Sequence, residues 1–234
     1  MILGLTALLG WTSLLGWAWF LFAGSLDLVD LGLGEAARLG WDAMLCLAFF
    51  VQHSGMVRRS YRQWSGRFIP PHYQGASYAI ASGVVLLVLL VFWQASGWTL
   101  AGPQGPIRWL LRAVYVLSMA GFAWGTWALG SFDPFGLEPI RGHLGSTVSP
   151  SVPFTVRGPH RWVRHPVYAF TLLMIWSCPD LTADRLLLNV LFTVWIVVGA
   201  VLEERDLVAA FGQPYREYKR NVPMLIPYRM RPVK

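Results

Sequence analysis

Arg157-Gly158-Pro159-His160-Arg161-Trp162-Val163-Arg164-His165-Pro166-Val167-Tyr168 is the stretch from which the fold can be read. It is a basic loop, punctuated by Gly and Pro, that runs directly into an apolar segment. Pro166 fits the first position of a helix, where a missing N–H costs nothing. The backbone of His165, just before it, is steered away from α geometry. The stretch predicts a stiff corner at a membrane surface, with Arg164 and His165 beside unpaired helix N–H groups. Such a corner suits an anion, for instance a carboxylate.

Downstream of the corner, residues 167–178 are apolar. At helical rise they reach roughly 18 Å, short of the ~30 Å of hydrocarbon a bilayer presents. Pro179-Asp180 breaks the segment, and an apolar run returns over 186–201, with Asp180 or Thr182 available as its cap. That run ends in Glu203-Glu204-Arg205-Asp206, followed by Phe211-Gly212, Tyr215 and Tyr218. Corner, short hairpin and double glutamate form one constellation.

Upstream, residues 2–22 are a single apolar stretch with no basic residue at its start, which does not read as a cleaved signal. An acidic loop with Asp27, Asp30 and Glu35 follows, and further spans are expected over 41–57, 78–93 and 107–129. Of the 234 residues, 55% are hydrophobic and 13% charged, about half the charge of a soluble domain. The fold class is therefore all-α: a polytopic membrane helical bundle of about six segments, the fifth short, with a C-terminal amphipathic helix over 206–220. It reads as one domain over 1–234, with a four-span part over 1–129 and a hairpin and tail over 130–234. Cys46 and Cys178 lie in separate apolar segments without metal spacing and read as buried thiols.

The net charge of +7 is explained by topology rather than by nucleic acid. Fifteen of the nineteen Lys and Arg fall in loop 58–77, loop 130–165 and the tail from Arg205. By the positive-inside rule these face the cytoplasm. The expected location is a bacterial-type inner (plasma) membrane, in contact with lipid, with both termini inside. Tryptophans such as Trp41, Trp93, Trp109 and Trp162 lie near segment ends, as an aromatic belt requires.

The chemically loaded residues share the cytoplasmic side in this topology: Gln52-His53, the loop Ser131-Phe132-Asp133-Pro134-Phe135-Gly136, the corner, and Glu203-Glu204. Two glutamates at the C-terminus of a membrane helix oppose its dipole and need a cationic partner, whether a ligand or a nearby arginine. Gln52-His53 closes an otherwise apolar helix; it suits either a headgroup-level position or a cavity. Asp133 suits either a turn cap or the site. Arg58, Arg59, Arg62 and Arg67 read as topology and headgroup contacts.

The motif Gly158–Tyr168, with Glu203-Glu204-Arg205-Asp206-Leu207, Phe211-Gly212-Gln213-Pro214-Tyr215, Tyr218 and Val222-Pro223, resembles the integral-membrane methyltransferases. That superfamily includes isoprenylcysteine carboxyl methyltransferase and phospholipid N-methyltransferases. Gln52-His53-Ser54 and Phe132-Asp133-Pro134-Phe135-Gly136-Leu137 resemble the NnrU-like and methanethiol S-methyltransferase branch. Where the methanethiol enzymes continue with Arg-Gln, this chain has Glu138-Pro139.

The resemblance implies S-adenosyl-L-methionine bound in a cytoplasm-facing pocket made by the last two helices and the tail. Arg164 and the Pro166 helix start would take its carboxylate, and Glu203 or Glu204 its ammonium or ribose hydroxyls. His160, His165 and Tyr168 would supply hydrogen bonds or stacking. The methyl acceptor would be a small or lipophilic molecule, foremost a thiol, with Gln52, His53 and Phe135 as its contacts and His53 or Asp133 as base. A prenylcysteine-like carboxylate, a phospholipid amine, and a non-catalytic NnrU-like accessory role are the alternatives. No metal is expected.

Overall fold

The computed structural model describes residues 2–130, 133–145 and 154–228. Its element order is α1 (Ile2–Ala23), α2 (Glu35–Val57), α3 (Arg59–Ser65), α4 (Pro71–Phe92), β1 (Thr99–Ala101), α5 (Pro106–Ala128), α6 (Glu138–Gly145), a 3-10 turn (Gly158–Arg161), α7 (Pro166–Trp176), β2 (Leu181–Thr182), α8 (Ala183–Phe211) and α9 (Gln213–Asn221). The architecture is the expected α-helical membrane bundle. Among the described residues the one small exception is the antiparallel pair β1–β2, which joins Thr99 to Thr182.

By length and composition α1, α4 and α8 are able to cross a membrane. The protein is thus an integral membrane protein. Helices α2 and α5 have 23 residues each, or about 34 Å at helical rise. Their N-terminal portions carry charge: Glu35, Arg38 and Asp42 in α2, Arg108 and Arg112 in α5. Helix α7 has 11 residues and is the short segment foreseen.

The chain divides into two compact units. The first holds residues 1–101, 133–150 and 180–191. Its frame is α4 packed between α1 and α2. Gly83 lets the α1 backbone at Leu9 approach. Phe20 is 1% exposed and meets Trp93 edge-on, with ring centroids 5.4 Å apart. Buried polar groups here bond to main chain at helix ends. Asp42 accepts the Gln94 N–H at 3.0 Å, Asp184 accepts the Ser96 N–H at 3.1 Å and the Trp93 indole at 2.9 Å, and Arg185 donates to the carbonyls of Phe20 and Leu21. Satisfying the last carbonyls of α1 in this way is what a buried arginine at a helix end does.

The second unit holds 102–132, 151–179 and 192–234. Helices α5 and α7 pack closely because α5 offers glycine notches. Gly121 leaves no room for a Cβ beside the Phe170 ring, and Val167 lies over Gly125. Gly158, at φ +52, lets the basic loop turn tightly against Trp124 and Ala128. Helix α9 lays Tyr215, Tyr218 and the following Val222 into a cluster with Phe154, Val156, Leu207, Val208 and Phe211.

Candidate active site

Helix α7 begins at Pro166, and His165 ahead of it has an extended φ of −120. The corner therefore has the shape that the His-Pro dipeptide dictates. The corner's own N–H groups are already used. Arg164 N donates to Pro223 O at 2.9 Å and His165 N to Met224 O at 3.1 Å. The tail thus runs alongside the corner as a short strand-like strap.

Glu203 and Glu204 do not end a helix. Their helix, α8, continues to Phe211 and stops at Gly212, whose φ of +62 is the left-handed conformation glycine adopts freely. The expected conflict with a helix C-terminus is thus absent. Leu207, Val208 and Phe211 carry the apolar face onward, and the charge on Glu204 is met by side chains instead.

Glu204 is 3% exposed. Its Oε1 accepts from Arg164 Nε at 2.5 Å, and its Oε2 lies 2.7 Å from Lys219 Nζ. The Lys219 and Arg164 contacts meet the charge that burial would otherwise leave without a partner. Arg164 Nη1 donates to the carbonyls of Lys219 and Val222. Arg164 therefore clamps α8 to the end of α9.

Two polar atoms at this corner are buried without a hydrogen-bond partner in the geometry: His165 Nε2 and the Tyr215 hydroxyl. His165 Nε2 is 3.4 Å from Glu204 Oε1, close enough for attraction but not aligned as a bond. Its ring stacks on Tyr168, with centroids 5.3 Å apart and planes 9° from parallel. Burial lowers the pKa of His165 despite the two glutamates, so the ring is neutral at pH 7. Burial also lowers that of His160, and it pushes the Tyr215 phenol up to about 12. Glu203 is the exposed member of the pair. Its side chain is 44% accessible, accepts from the Tyr168 hydroxyl at 2.8 Å and lies 3.7 Å from His165 Nδ1. His160 contributes its carbonyl, which accepts from Tyr218 at 2.6 Å.

The other expected site residues belong to the first unit. Asp133 accepts the Glu138 N–H at 2.7 Å, so it caps α6. Phe135 is buried; its ring fills the notch at Gly10 and meets Trp11 edge-on, with centroids 5.3 Å apart. Ser131 and Phe132 lie outside the described residues. His53, in α2, lies against Tyr78 of α4, with the hydroxyl 2.7 Å from Nε2. Gln52 Nε2 donates to Ser82 Oγ at 3.2 Å and to Met56 Sδ at 3.1 Å.

Lys219 and Tyr78 were missed by sequence reasoning. Lys219 was legible in part: a buried glutamate needs more than one cation, and the helix after Gly212 supplies Lys219 and Arg220. Tyr78 and Ser82 stand four apart on α4, hence on one face, opposite the only polar pair closing α2.

The bundle and the paired charges of the corner define an integral membrane protein with a built polar site. No family model and no solved structure matches the chain. Curated relatives do. Methanethiol S-methyltransferase of Pseudomonas sp. is 36% identical over 80% of this chain and 73% of its own length. That of Mycobacterium tuberculosis is 35% identical over 84% and 80%. Nurim of Rattus norvegicus is 30% identical over 73% of this chain and 68% of its own. The chain is a membrane methyltransferase and belongs to the family of the methanethiol S-methyltransferases.

Proposed function

We propose that the protein transfers a methyl group from S-adenosyl-L-methionine to a small thiol, methanethiol foremost, with its site on the cytoplasmic side of the membrane. The observation that carries the donor half is the group of buried polar atoms around the Arg164–Glu204 pair that lack protein partners. Buried polar atoms are ordinarily bonded. His165 Nε2 and the Tyr215 hydroxyl are left over beside an exposed carboxylate, Glu203. The cofactor carries a carboxylate, an ammonium, a sulfonium and ribose hydroxyls. The Arg164 guanidinium suits the carboxylate, Glu203 the ammonium or ribose, and Tyr168 and His160 the adenine or ribose. Glu204 and Pro166 hold the corner in shape.

The acceptor half rests on the names of the relatives and on Gln52-His53, a polar pair in the first unit. The methyl on a cationic sulfur is already activated, so the protein's task is alignment and removal of the thiol proton. His53 is the base. The orientation rests on the fifteen basic residues of the loops and tail. Cysteines placed at Gln63, Gly145 and the C-terminus should resist an impermeant reagent in intact cells. Labelling of any of the three would overturn the orientation.

The test of the cofactor is direct. Millimolar S-adenosylmethionine or its demethylated product should raise the melting temperature of the detergent-solubilised protein and give heat in calorimetry. The absence of both would overturn the reading.

A further inference from the structure

The seam of α2 and α4, where Gln52 and His53 meet Ser82 and Tyr78, holds no fixed charge. The corner holds fixed charges of both signs within one compact unit, and they are not equally open. A row of contacts runs from Lys219 Nζ to Glu204 Oε2 at 2.7 Å, from Glu204 Oε1 to His165 Nε2 at 3.4 Å, and from His165 Nδ1 to Glu203 Oε2 at 3.7 Å. Side-chain exposure along that row is 46%, 3%, 6% and 44%. The two middle groups are enclosed, so the ends that meet solvent are one cation and one anion. Arg164 lies beneath, at 9% exposure. Its Nε goes to Glu204 and its Nη1 to the carbonyls of Lys219 and Val222. Its charge acts at the corner, but its fork is largely used in holding α9 to α8.

Lys219 owes its place to α9. Tyr215 and Tyr218 are the buried residues of that helix, and Lys219 stands four after Tyr215, on the flank of the same face. A lysine so placed runs its stem along the apolar face and keeps its ammonium at the rim. The ammonium has three N–H donors, and Glu204 Oε2 takes one of them. A purely structural counter-ion for Glu204 has no need to be open, and Arg164 already serves the other oxygen of that carboxylate. Nearly half of the Lys219 side chain nevertheless meets solvent.

We infer that Lys219 is a binding residue for the methyl donor: its ammonium takes the donor's carboxylate at one end of the row, while Glu203 takes the ammonium or ribose hydroxyls toward the other. The inference rests on the donor reading proposed above and adds a residue to it. Arg164 supports the carboxylate by its charge from below, and Lys219 supplies the N–H groups that touch it. A ligand with a carboxylate at one end and hydrogen-bond donors further along matches a row that ends in a cation on one side and a carboxylate on the other. Nucleosides that lack the amino-acid end would leave Lys219 on Glu204 alone, so the lysine also selects for that end of the donor.

The test is calorimetry of the purified protein and its Lys219→Met and Lys219→Arg variants with S-adenosylmethionine and with decarboxylated S-adenosylmethionine. The wild type should bind the decarboxylated ligand about tenfold more weakly than the intact one. Lys219→Met should lose about tenfold on S-adenosylmethionine and nothing on the decarboxylated ligand, and Lys219→Arg should restore the loss. Equal losses on both ligands would give Lys219 to Glu204 alone and overturn the inference, as would wild-type affinity in Lys219→Met. Should Lys219→Met fail to fold, chemistry on the wild-type protein decides. Acetylation of Lys219 by acetic anhydride, read by mass spectrometry, should be slowed by saturating S-adenosylmethionine and not by saturating methylthioadenosine. Equal protection by both, or protection by neither, would overturn the inference. A wild type that binds neither S-adenosylmethionine nor its demethylated product overturns the donor reading and this inference with it, whereas binding without discrimination against the decarboxylated ligand overturns this inference alone.

Discussion

The corner and the seam are both polar insertions in apolar surroundings, yet they are built from opposite materials. The corner is ionic. Glu204 is enclosed by Arg164 and Lys219, and Glu203 stands beside it at the surface. The seam between α2 and α4 is neutral, made of amide, imidazole, phenol and hydroxyl. A zwitterionic ligand with a carboxylate and an ammonium needs fixed charges of both signs, and only the corner holds them. A small uncharged thiol would gain nothing from such charges and would be repelled, once ionised, by the glutamates. The difference in material is what a donor and an acceptor of different charge require, and it states which mutations should alter which half of the reaction.

The largest effect is expected at the ion cluster. Arg164→Ala or Glu204→Ala leaves a buried charge short of a partner, at a cost of about 3 kcal/mol or more. Either change should lower the melting temperature in detergent and abolish cofactor heat in calorimetry. Intact stability with lost binding would instead give these residues to the ligand alone. Next comes His53→Ala, which should lower turnover about 100-fold and leave cofactor affinity unchanged. Loss of cofactor binding in that variant would erase the contrast between the two regions. Smaller again is Glu203→Gln. As an exposed residue bonded only to Tyr168 and near His165, it should weaken cofactor binding about tenfold, or about 1.4 kcal/mol, at unchanged melting temperature.

The pH dependence of stability is the mildest signature. His165 titrates below its ordinary value of 6.5 because burial disfavours its charged form. The unfolded chain binds that proton more readily, so stability is present above the ordinary value and lost as pH falls below it. Melting temperature should begin to fall below about pH 6.5. His165→Asn should remove that decline. A melting temperature that rises on acidification from pH 7 to 5 would contradict the buried neutral histidine.

Local chemistry made half of this legible in the sequence. Pro166 fixes its own φ and that of its neighbour, so the start of α7 and the corner could be read from two residues. The length of α7 followed from Pro179. Where position depends on packing, sequence misled. Glu203-Glu204 looked like a helix end because charge usually marks one, but Gly212 ends α8 and the glutamates lie two turns inside. Phe135 belongs to a motif that suggested a contact for the acceptor; its place against Gly10 and Trp11 came from packing that the motif does not state. Asp133 could cap or catalyse on sequence alone; its bond to the Glu138 N–H is a cap. Tyr78 became visible only when α4 was brought to α2, and the choice of Lys219 over Arg220 only when α9 was brought to Glu204, because no local pattern couples residues so far apart in the chain.

The measurement that tests the account most directly is transfer of a labelled methyl group from S-adenosylmethionine by the purified protein, with methanethiol, a prenylcysteine and a phospholipid amine offered separately. The account predicts label in the methylated thiol, none in the other two, and its loss in Glu203→Gln recovered by raising cofactor concentration. Label entering the prenylcysteine or the phospholipid while methanethiol stays unlabelled would contradict it.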